Sequence, residues 1–97
     1  MKYCCYILFS QTLNKFYIGS TGDAVSNRII KHNTQHYGYR KFTSKADDWE
    51  LFLEIVCQNR RQAELIEKHI KKMKSRVYIT NLKLHPEIQE SLLKKYS

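Results

Sequence analysis

The feature that most constrains this fold is a pair of apolar runs separated by only five residues. The runs are Tyr3–Phe9 and Lys15–Ser20, and the segment between them reads SQTLN. Aromatic and β-branched residues suit a pleated surface, and a connection of this length is typical of a hairpin. The first run is apolar at successive positions, as expected of a strand buried on both faces. The sequence therefore predicts two antiparallel strands, the first of them central in its sheet.

The register of this hairpin follows from its turn. If Phe9 faces Phe16, then Tyr6 faces Gly19, and Tyr6 and Tyr17 lie diagonally on one face of the sheet. A slip by one residue would move the two tyrosines to opposite faces. Glycine leaves room for a ligand to approach the backbone closely. Two phenols beside a glycine are compatible with a binding site, and also with a packed core in which both hydroxyls are satisfied.

The rest of the chain predicts one further strand and four helices. Alternating side chains predict the strand over residues 49–56, with one face formed by Trp49, Leu51, Leu53 and Ile55. The predicted helices run from a cap at Asp23 or Ser26 to about His36, from a cap at Asn59 to about Met73, from about Ser75, and from about Pro86. The order predicts an α+β fold, a small three-stranded antiparallel sheet flanked by helices. We expect a single domain over residues 1–97, with the main module at about 1–82 and a last helix at about 86–96.

The charge of the chain indicates a polyanionic partner. There are 17 Lys and Arg against 9 Asp and Glu, a net charge of +8 in 97 residues. So large an excess favours nucleic acid. A membrane surface is disfavoured, because it would also call for a basic amphipathic helix with aromatic anchors, and no such helix is recognisable. An acidic protein partner has no positive support in the sequence.

The cysteines and the apolar runs indicate the compartment. Cys4, Cys5 and Cys57 are an odd number without the CxxC spacing of a zinc site, which predicts buried free thiols. The longest apolar run is too short to span a bilayer, and no cleavage site follows it. We therefore expect a cytoplasmic protein without a membrane partner.

The first predicted helix carries an arginine and a histidine on one side. Arg28 and His32 are spaced i, i+4, next to the apolar stripe that includes Val25 and Ile29. An arginine offers a planar charged fork that suits a phosphate, and a histidine can pass a proton near neutral pH. The same pair is also compatible with a solvated surface.

The second predicted helix offers two acidic candidates. Relative to the stripe of Ala63, Ile66, Ile70 and Met73, Glu67 lies roughly 80° from the centre and Glu64 about 140°. Glu67 is thus expected at the edge of the packed face, and Glu64 in solvent. A carboxylate at such an edge could hold a hard cation such as Mg²⁺, although a salt bridge to Lys71 is equally compatible with the spacing.

Several sequence blocks together resemble one known family. The blocks are CCY followed by IL (Cys4–Leu8), YIG (Tyr17–Gly19), RIIKHN (Arg28–Asn33), KFT (Lys41–Thr43), Trp49, and AELIEKHIKKMKSRVYI (Ala63–Ile79). In this order and spacing they resemble the GIY-YIG nucleases, over nearly the whole chain to about Leu82. The chain departs from the family pattern at Cys4 and Cys5, which stand where the motif has glycine and isoleucine.

The resemblance implies a metal-dependent phosphodiesterase and assigns its residues. The matching site residues are Tyr6, Tyr17, Arg28, His32, Glu67 and Asn81. Mg²⁺ or Mn²⁺ on Glu67 would withdraw charge from the scissile phosphate, and Arg28 would hold that phosphate. Tyr17, helped by Tyr6 or His32, would position or deprotonate the attacking water, and which of the three is the base stays open.

The resemblance also predicts the surface that contacts DNA. The predicted contacts are Gly19, Tyr39, Arg40, Lys41, Lys45, Lys71, Lys72, Lys74 and Arg76. Since no extra domain fits after Leu82, we expect low sequence specificity or a choice of branched or damaged DNA by shape, as in repair or recombination. The protein is expected to act as a monomer or weak dimer without a small-molecule cofactor. A non-catalytic nucleic-acid-binding module of the same fold is the alternative.

Overall fold

A computed structural model describes residues 2–34 and 46–97 of the chain. The described residues form three strands and four helices: β1 Tyr3–Ser10, β2 Lys15–Thr21, α1 Val25–Asn33, β3 Glu50–Cys57, α2 Arg60–Met73, α3 Arg76–Leu84 and α4 Pro86–Lys95. The strands form one antiparallel sheet in the order β2-β1-β3, with helices on both faces. The predicted α+β fold is confirmed.

The hairpin has the predicted register. Phe9 pairs with Phe16, and Tyr6 pairs with Gly19. The turn closes through a hydrogen bond from the Asn14 amide to the Gln11 carbonyl at 3.2 Å, and Asn14 has a φ of 53°. Asparagine tolerates this left-handed conformation better than most residues, so the turn is encoded locally.

The two faces of β1 belong to different cores. Cys5 and Ile7 pack with buried side chains of α2, α3 and α4, namely Ala63, Ile66, Ile70, Ile79, Leu82 and Leu92. Cys4, Tyr6 and Leu8 pack on the other face, with Val25, Ala46 and Trp49. The predicted burial of the three cysteines is confirmed, and desolvation by burial raises the pKa of Cys4 to about 12. A central strand buried on both faces thus separates an α1 side of the sheet from an α2 side.

Strand β3 departs from the predicted alternation. Ile7 pairs with Leu53 but Leu8 pairs with Leu51, so Phe52 is the extra residue of a bulge. Phe52 and Leu53 consequently pack against the same core, and the Phe52 ring lies 4.9 Å from that of Phe16. The predicted alternation between the two faces is wrong here, because the one inserted residue moves the strand residues before it to the opposite face.

Helix starts were predicted correctly for α2, α3 and α4 and wrongly for α1. Asn59 Oδ1 accepts from the Gln62 amide, and Ser75 Oγ accepts from the Tyr78 amide. The N-cap of α1 is Ala24, which makes no side-chain cap. Asp23 lies one residue too early and accepts from the Ala24 amide instead. The predicted end of this helix near His36 falls outside the described residues.

The apolar stripe of α2 ends earlier than predicted. Its first three members are buried, whereas Met73 is 45% exposed. The helix stops at Met73 because Lys74 takes a left-handed conformation with φ of 48°. Gln62 is buried instead, and its side-chain nitrogen donates to the Leu93 carbonyl at 2.9 Å.

Side-chain hydrogen bonds hold α1 and the hairpin turn against the segment before β3. Asn33 Oδ1 accepts from the Trp49 amide at 2.7 Å, and Asn33 Nδ2 donates to the Trp49 carbonyl at 2.9 Å. The Asp48 carboxylate accepts from Ser10 Oγ at 2.6 Å and from the Thr12 amide at 2.9 Å. In the described ranges, no helix combines the length and the apolar character that crossing a bilayer requires.

Candidate active site

A cluster of two phenols and one imidazole lies on the α1 side of the sheet. The hairpin register places Tyr6 and Tyr17 on this face, with ring centres 6.3 Å apart. Helix α1 adds His32, whose ring centre is 4.7 Å from that of Tyr17. The Tyr6 hydroxyl lies 3.3 Å from His32 Nε2, within hydrogen-bond distance. The structure thus brings together three of the predicted site residues.

The members of this cluster differ in exposure. Tyr6 is 1% exposed and His32 is 2% exposed, whereas Tyr17 is only partly buried. The Trp49 ring meets Tyr17 edge-on with ring centres 6.4 Å apart. Tyr17 is therefore the member of the cluster that offers surface to a substrate, with Tyr6 and His32 behind it.

Gly19 is required by the packing of Tyr6. A Cβ atom at this position would lie 2.7 Å from Tyr6 Cζ and 3.1 Å from Tyr17 Cε2. Carbon atoms do not approach so closely, so any larger residue would displace the Tyr6 ring. The sequence predicted close approach of a ligand at this glycine, and the structure shows a second reason for it in the Tyr6 ring.

His32 is held in its neutral form. Burial, and then the positive charge of Arg28 one turn earlier, lower the pKa of His32 to about 4. Both causes disfavour the imidazolium, so the ring is uncharged at pH 7. A neutral imidazole can accept a proton from a phenol or donate one, depending on its tautomer.

A cleft lies between the end of β2 and the start of α2. It has a volume of about 280 Å³ and is lined by Tyr3, Ser20, Thr21, Gly22, Arg28, Arg60, Ala63 and Glu64. Arg28 is half-buried in its wall, while Arg60 is exposed and pairs with Glu64 at 3.4 Å. The two guanidinium groups suit an anion such as a phosphate.

Glu67 lies on the α2 side, beside this cleft. Its Oε1 accepts from Ser20 Oγ at 2.6 Å, and its Oε2 accepts from Lys71 Nζ at 2.6 Å. Its side chain is 21% exposed, against 54% for Glu64, in the order that the helical angles predict. The salt bridge to Lys71 that the spacing allowed is present.

Ser20 is the residue that sequence reasoning missed. It lines the cleft that contains Arg28 and also donates to Glu67, so it joins the two sides of the site. Its position directly after Gly19 could have predicted its orientation, because successive strand residues point to opposite faces. Ser20 must point away from the tyrosines and towards α2.

The donor set around Glu67 fits a hard cation that completes its coordination with water and phosphate. Among the described residues, no three His, Cys, Asp or Glu side chains converge into a metal cage. Mg²⁺ commonly takes one or two carboxylates, several waters and substrate oxygens. Glu67 can supply that carboxylate component, provided that the Lys71 ammonium moves aside.

Asn81, another predicted site residue, belongs to α3. Asn81 is half-buried in α3, where its carbonyl accepts from the His85 amide. Within the described part of the chain, no hydrogen bond joins its side chain to Glu67 or Tyr17. The predicted DNA contacts Tyr39, Arg40, Lys41 and Lys45 lie outside the described residues.

The basic cluster predicted after Ile70 is divided among several surroundings. Lys71 pairs with Glu67. Arg76 donates to the Asn14 carbonyl and to Asn14 Oδ1, and its guanidinium lies 5.3 Å from the centre of the Phe16 ring. Lys72 faces α4, and Lys74 caps α2. Lys71 and Lys72 therefore lie in different surroundings, whereas Lys74 and Arg76 line one further groove together with Lys15.

Comparison with known families identifies the relationship of this chain. The family profile described as the GIY-YIG catalytic domain matches residues 2–81. No curated protein and no solved structure matches the chain. The matched range contains β1, β2 and all of the cluster and cleft residues described above.

Proposed function

Because the chain belongs to the GIY-YIG nuclease family, we propose that it is an endonuclease that hydrolyses DNA phosphodiester bonds with Mg²⁺ or Mn²⁺. The observation that carries the proposal is the cleft where Arg28 and Ser20 meet the acidic side of α2. One wall offers permanent positive charge, and the other offers carboxylate oxygen. Both are needed to bind a phosphodiester and to neutralise the charge that develops on it.

Arg28 is proposed to hold the scissile phosphate. Its guanidinium is half-buried in the cleft wall, where less water screens it than on an open surface. The planar fork can donate two parallel hydrogen bonds to phosphate oxygens. When a phosphate neutralises Arg28, one of the causes that keep the pKa of His32 low is removed, so the imidazole becomes a better proton acceptor.

Tyr17 is proposed to meet the attacking water. It is the partly exposed member of the cluster, and its ring lies against that of His32. Its role is to position the water, and its hydroxyl can take the water's proton only as it passes its own proton to the neutral His32 imidazole beside it. Tyr6 and His32 are positioning residues here, because both are buried and are joined to one another at 3.3 Å.

Glu67 is proposed to hold the cation. A divalent cation bound there would draw charge from the phosphate and stabilise the leaving oxygen. The Ser20 hydroxyl can continue to donate to Glu67, since a carboxylate oxygen accepts more than one bond. Lys71 must give up its bond, because its ammonium and the cation repel one another.

We further infer that DNA is chosen by shape or damage more than by sequence, in repair or recombination within the cytoplasm. The cleft presents guanidinium and hydroxyl groups, which suit phosphates and carry no base code. Sequencing of the cut ends tests this inference. A sharp consensus around the cleavage position would contradict it.

The test of catalysis is a plasmid-nicking assay. Supercoiled plasmid is incubated with the protein and Mg²⁺ or Mn²⁺, with EDTA as a control, and nicked and linear forms are separated on a gel. Metal-dependent nicking is expected, and Glu67→Gln is expected to abolish it. Glu64→Gln is the matched control, because it makes the same change one turn away on the same helix, and it should retain nicking.

The outcomes separate the assignments. Loss of nicking in Glu64→Gln but not in Glu67→Gln would show that Glu64, and not Glu67, holds the cation. Salt-sensitive DNA binding without nicking of plasmid, branched DNA or RNA by the wild type would favour the non-catalytic nucleic-acid-binding module.

A further inference from the structure

A second groove lies between α2 and the end of α4, on the far side of α2 from Glu67. It has a volume of about 540 Å³ and is lined by Leu65, Lys68, His69, Lys72, Met73, Lys95 and Tyr96. Lys72 follows Glu67 by five residues, which turns it about 140° around the helix axis. This α2–α4 groove is therefore separate from the catalytic cleft.

Lysines from two helices converge on the α2–α4 groove. Lys68 and Lys72 belong to α2, and Lys95 belongs to α4, while no Asp or Glu of the described residues lines the groove. Lys95 Nζ lies 5.5 Å from the centre of the Tyr96 ring. Burial, followed by the charges of Lys95 and Lys72, lowers the pKa of His69 on the floor. The groove thus concentrates positive charge and favours the binding of an anion.

Flat and apolar groups lie among these cations. The Tyr96 hydroxyl is 2.9 Å from His69 Nδ1, and the two rings meet edge-on with centres 5.7 Å apart. This bond fixes the Tyr96 ring in the groove. Met73, which is 45% exposed, and the half-buried Leu65 also line the groove. Aromatic and thioether surfaces offer contact to a flat ligand, which a simple anion such as inorganic phosphate would not use.

We propose that the α2–α4 groove binds a single-stranded nucleic-acid segment, such as a flap attached to the duplex being cut. Lysines beside an aromatic ring are the combination by which proteins bind single strands, with phosphates on the cations and bases stacked on the ring. Lys68 and Lys72 are one helical turn apart, about 6 Å along the axis, which suits successive phosphates of one strand. An acidic peptide would use the lysines but would have no use for the flat apolar floor.

The assignment deepens, and rests on, the proposed nuclease function. The cleft and the groove lie on different sides of α2, so a substrate that occupies both must leave the duplex path between them. A duplex with a single-stranded arm meets that requirement. The groove would then supply the preference for branched DNA that the small cleft alone does not explain.

The test measures binding without cleavage. A fluorescein-labelled oligodeoxythymidylate of about twelve nucleotides is titrated with the protein in EDTA, by anisotropy at several salt concentrations. Lys68→Gln/Lys95→Gln is compared with Lys31→Gln/Lys83→Gln, which removes the same charge outside the groove. The groove variant is expected to bind about tenfold more weakly, with a salt slope smaller by about 1.4. An equal loss in both variants, or none in either, would overturn the proposal.

A second pair of variants tests stacking. Tyr96→Leu is expected to weaken binding about fivefold or more, whereas Tyr96→Phe, which keeps the ring, should bind nearly as the wild type does. Equal binding by Tyr96→Leu and wild type would contradict a stacked base. Polyglutamate is then added as a competitor. Displacement by polyglutamate as efficient as by unlabelled oligonucleotide would assign the groove to an acidic protein instead.

These results are independent of catalysis. Oligonucleotide binding in the groove by a wild type that nicks nothing would refute the proposed function and keep the groove. Nicking by the wild type, together with unchanged oligonucleotide binding by the groove variants, would support the proposed function and refute the proposed role of the groove.

Discussion

Neighbouring charges and contacts decide what single site residues can do. His32 is neutral because it is buried beside Arg28, and Glu67 is held between the Ser20 hydroxyl and the Lys71 ammonium. None of these properties belongs to the isolated residue. Gly19 is the clearest instance, because its role is to leave space for the Tyr6 ring.

Replacing Gly19 by alanine is predicted to destabilise the fold and disturb the cluster. The added Cβ would meet Tyr6 Cζ at 2.7 Å, which forces the ring away from His32. Overpacking of this kind costs about 1–3 kcal/mol in the free energy of unfolding. Urea unfolding measures the cost, and Tyr6→Leu in the Gly19→Ala background should recover part of it. Additive costs in the double variant would show that the two residues do not clash.

At the scale of elements, the site depends on how α1 is fixed to the sheet. Helix α1 carries both Arg28 and His32, and its last residue, Asn33, makes two hydrogen bonds to the Trp49 backbone. The β2–α2 contact is fixed by Ser20 and Glu67. The start of α3 is fixed to the hairpin turn by Arg76. These three helices are thus each attached to the sheet, or to a segment that adjoins a strand, by a polar side chain as well as by an apolar face.

Asn33→Ala is predicted to loosen α1 and to reduce both stability and nicking. The substitution leaves the partly buried amide and carbonyl of Trp49 without these partners, which costs about 1–3 kcal/mol. Thr34→Ala is the matched control, because that hydroxyl bonds only within its own helical turn. Thermal unfolding of both variants measures the difference. Equal stability of the two variants would contradict a role for Asn33 in joining α1 to β3.

At the scale of the whole molecule, the titrating groups make the fold sensitive to acid. Burial lowers the pKa of His32 and His69, and hydrogen bonds lower the pKa of Asp23 and Asp48. The histidines do not affect the pH dependence of folding above pH about 6.5, where they are neutral in both states, and they oppose folding below it. The aspartates favour folding above their unfolded pKa, and that contribution is lost as the pH falls through their lower folded pKa. Both effects reduce stability in acid, and the net charge of +8 rises at the same time.

The free energy of unfolding is predicted to fall between pH 6.5 and 4 because of His32. In this window the unfolded chain binds a proton that the folded protein does not, and below pH 4 the residue adds no further loss. The full effect is up to about 3 kcal/mol. Urea unfolding at several pH values should give a flatter profile for His32→Gln than for wild type. His85→Gln, at an exposed position, is the control, and parallel profiles for wild type and His32→Gln would refute the assignment.

The sequence alone predicted the parts of this protein that rest on local rules. The hairpin and its register follow from two apolar runs and a short turn. The cap at Asn59 and the start of a helix at about Ser75 follow from short polar side chains before helical periodicity. The relative exposure of Glu67 and Glu64 follows from helix geometry. These features depend on neighbours within a few residues, so the chain encodes them directly.

Only the tertiary structure decided which distant groups meet. The bulge at Phe52, the use of Gly19 by Tyr6, the Ser20 bond to Glu67 and the separation of Lys72 from Lys71 all depend on elements far apart in the chain. In the linear sequence, the basic stretch after Ile70 looks like one continuous positive patch. A helix turns about 100° per residue, so Lys71 pairs with Glu67 while Lys72 lines the α2–α4 groove.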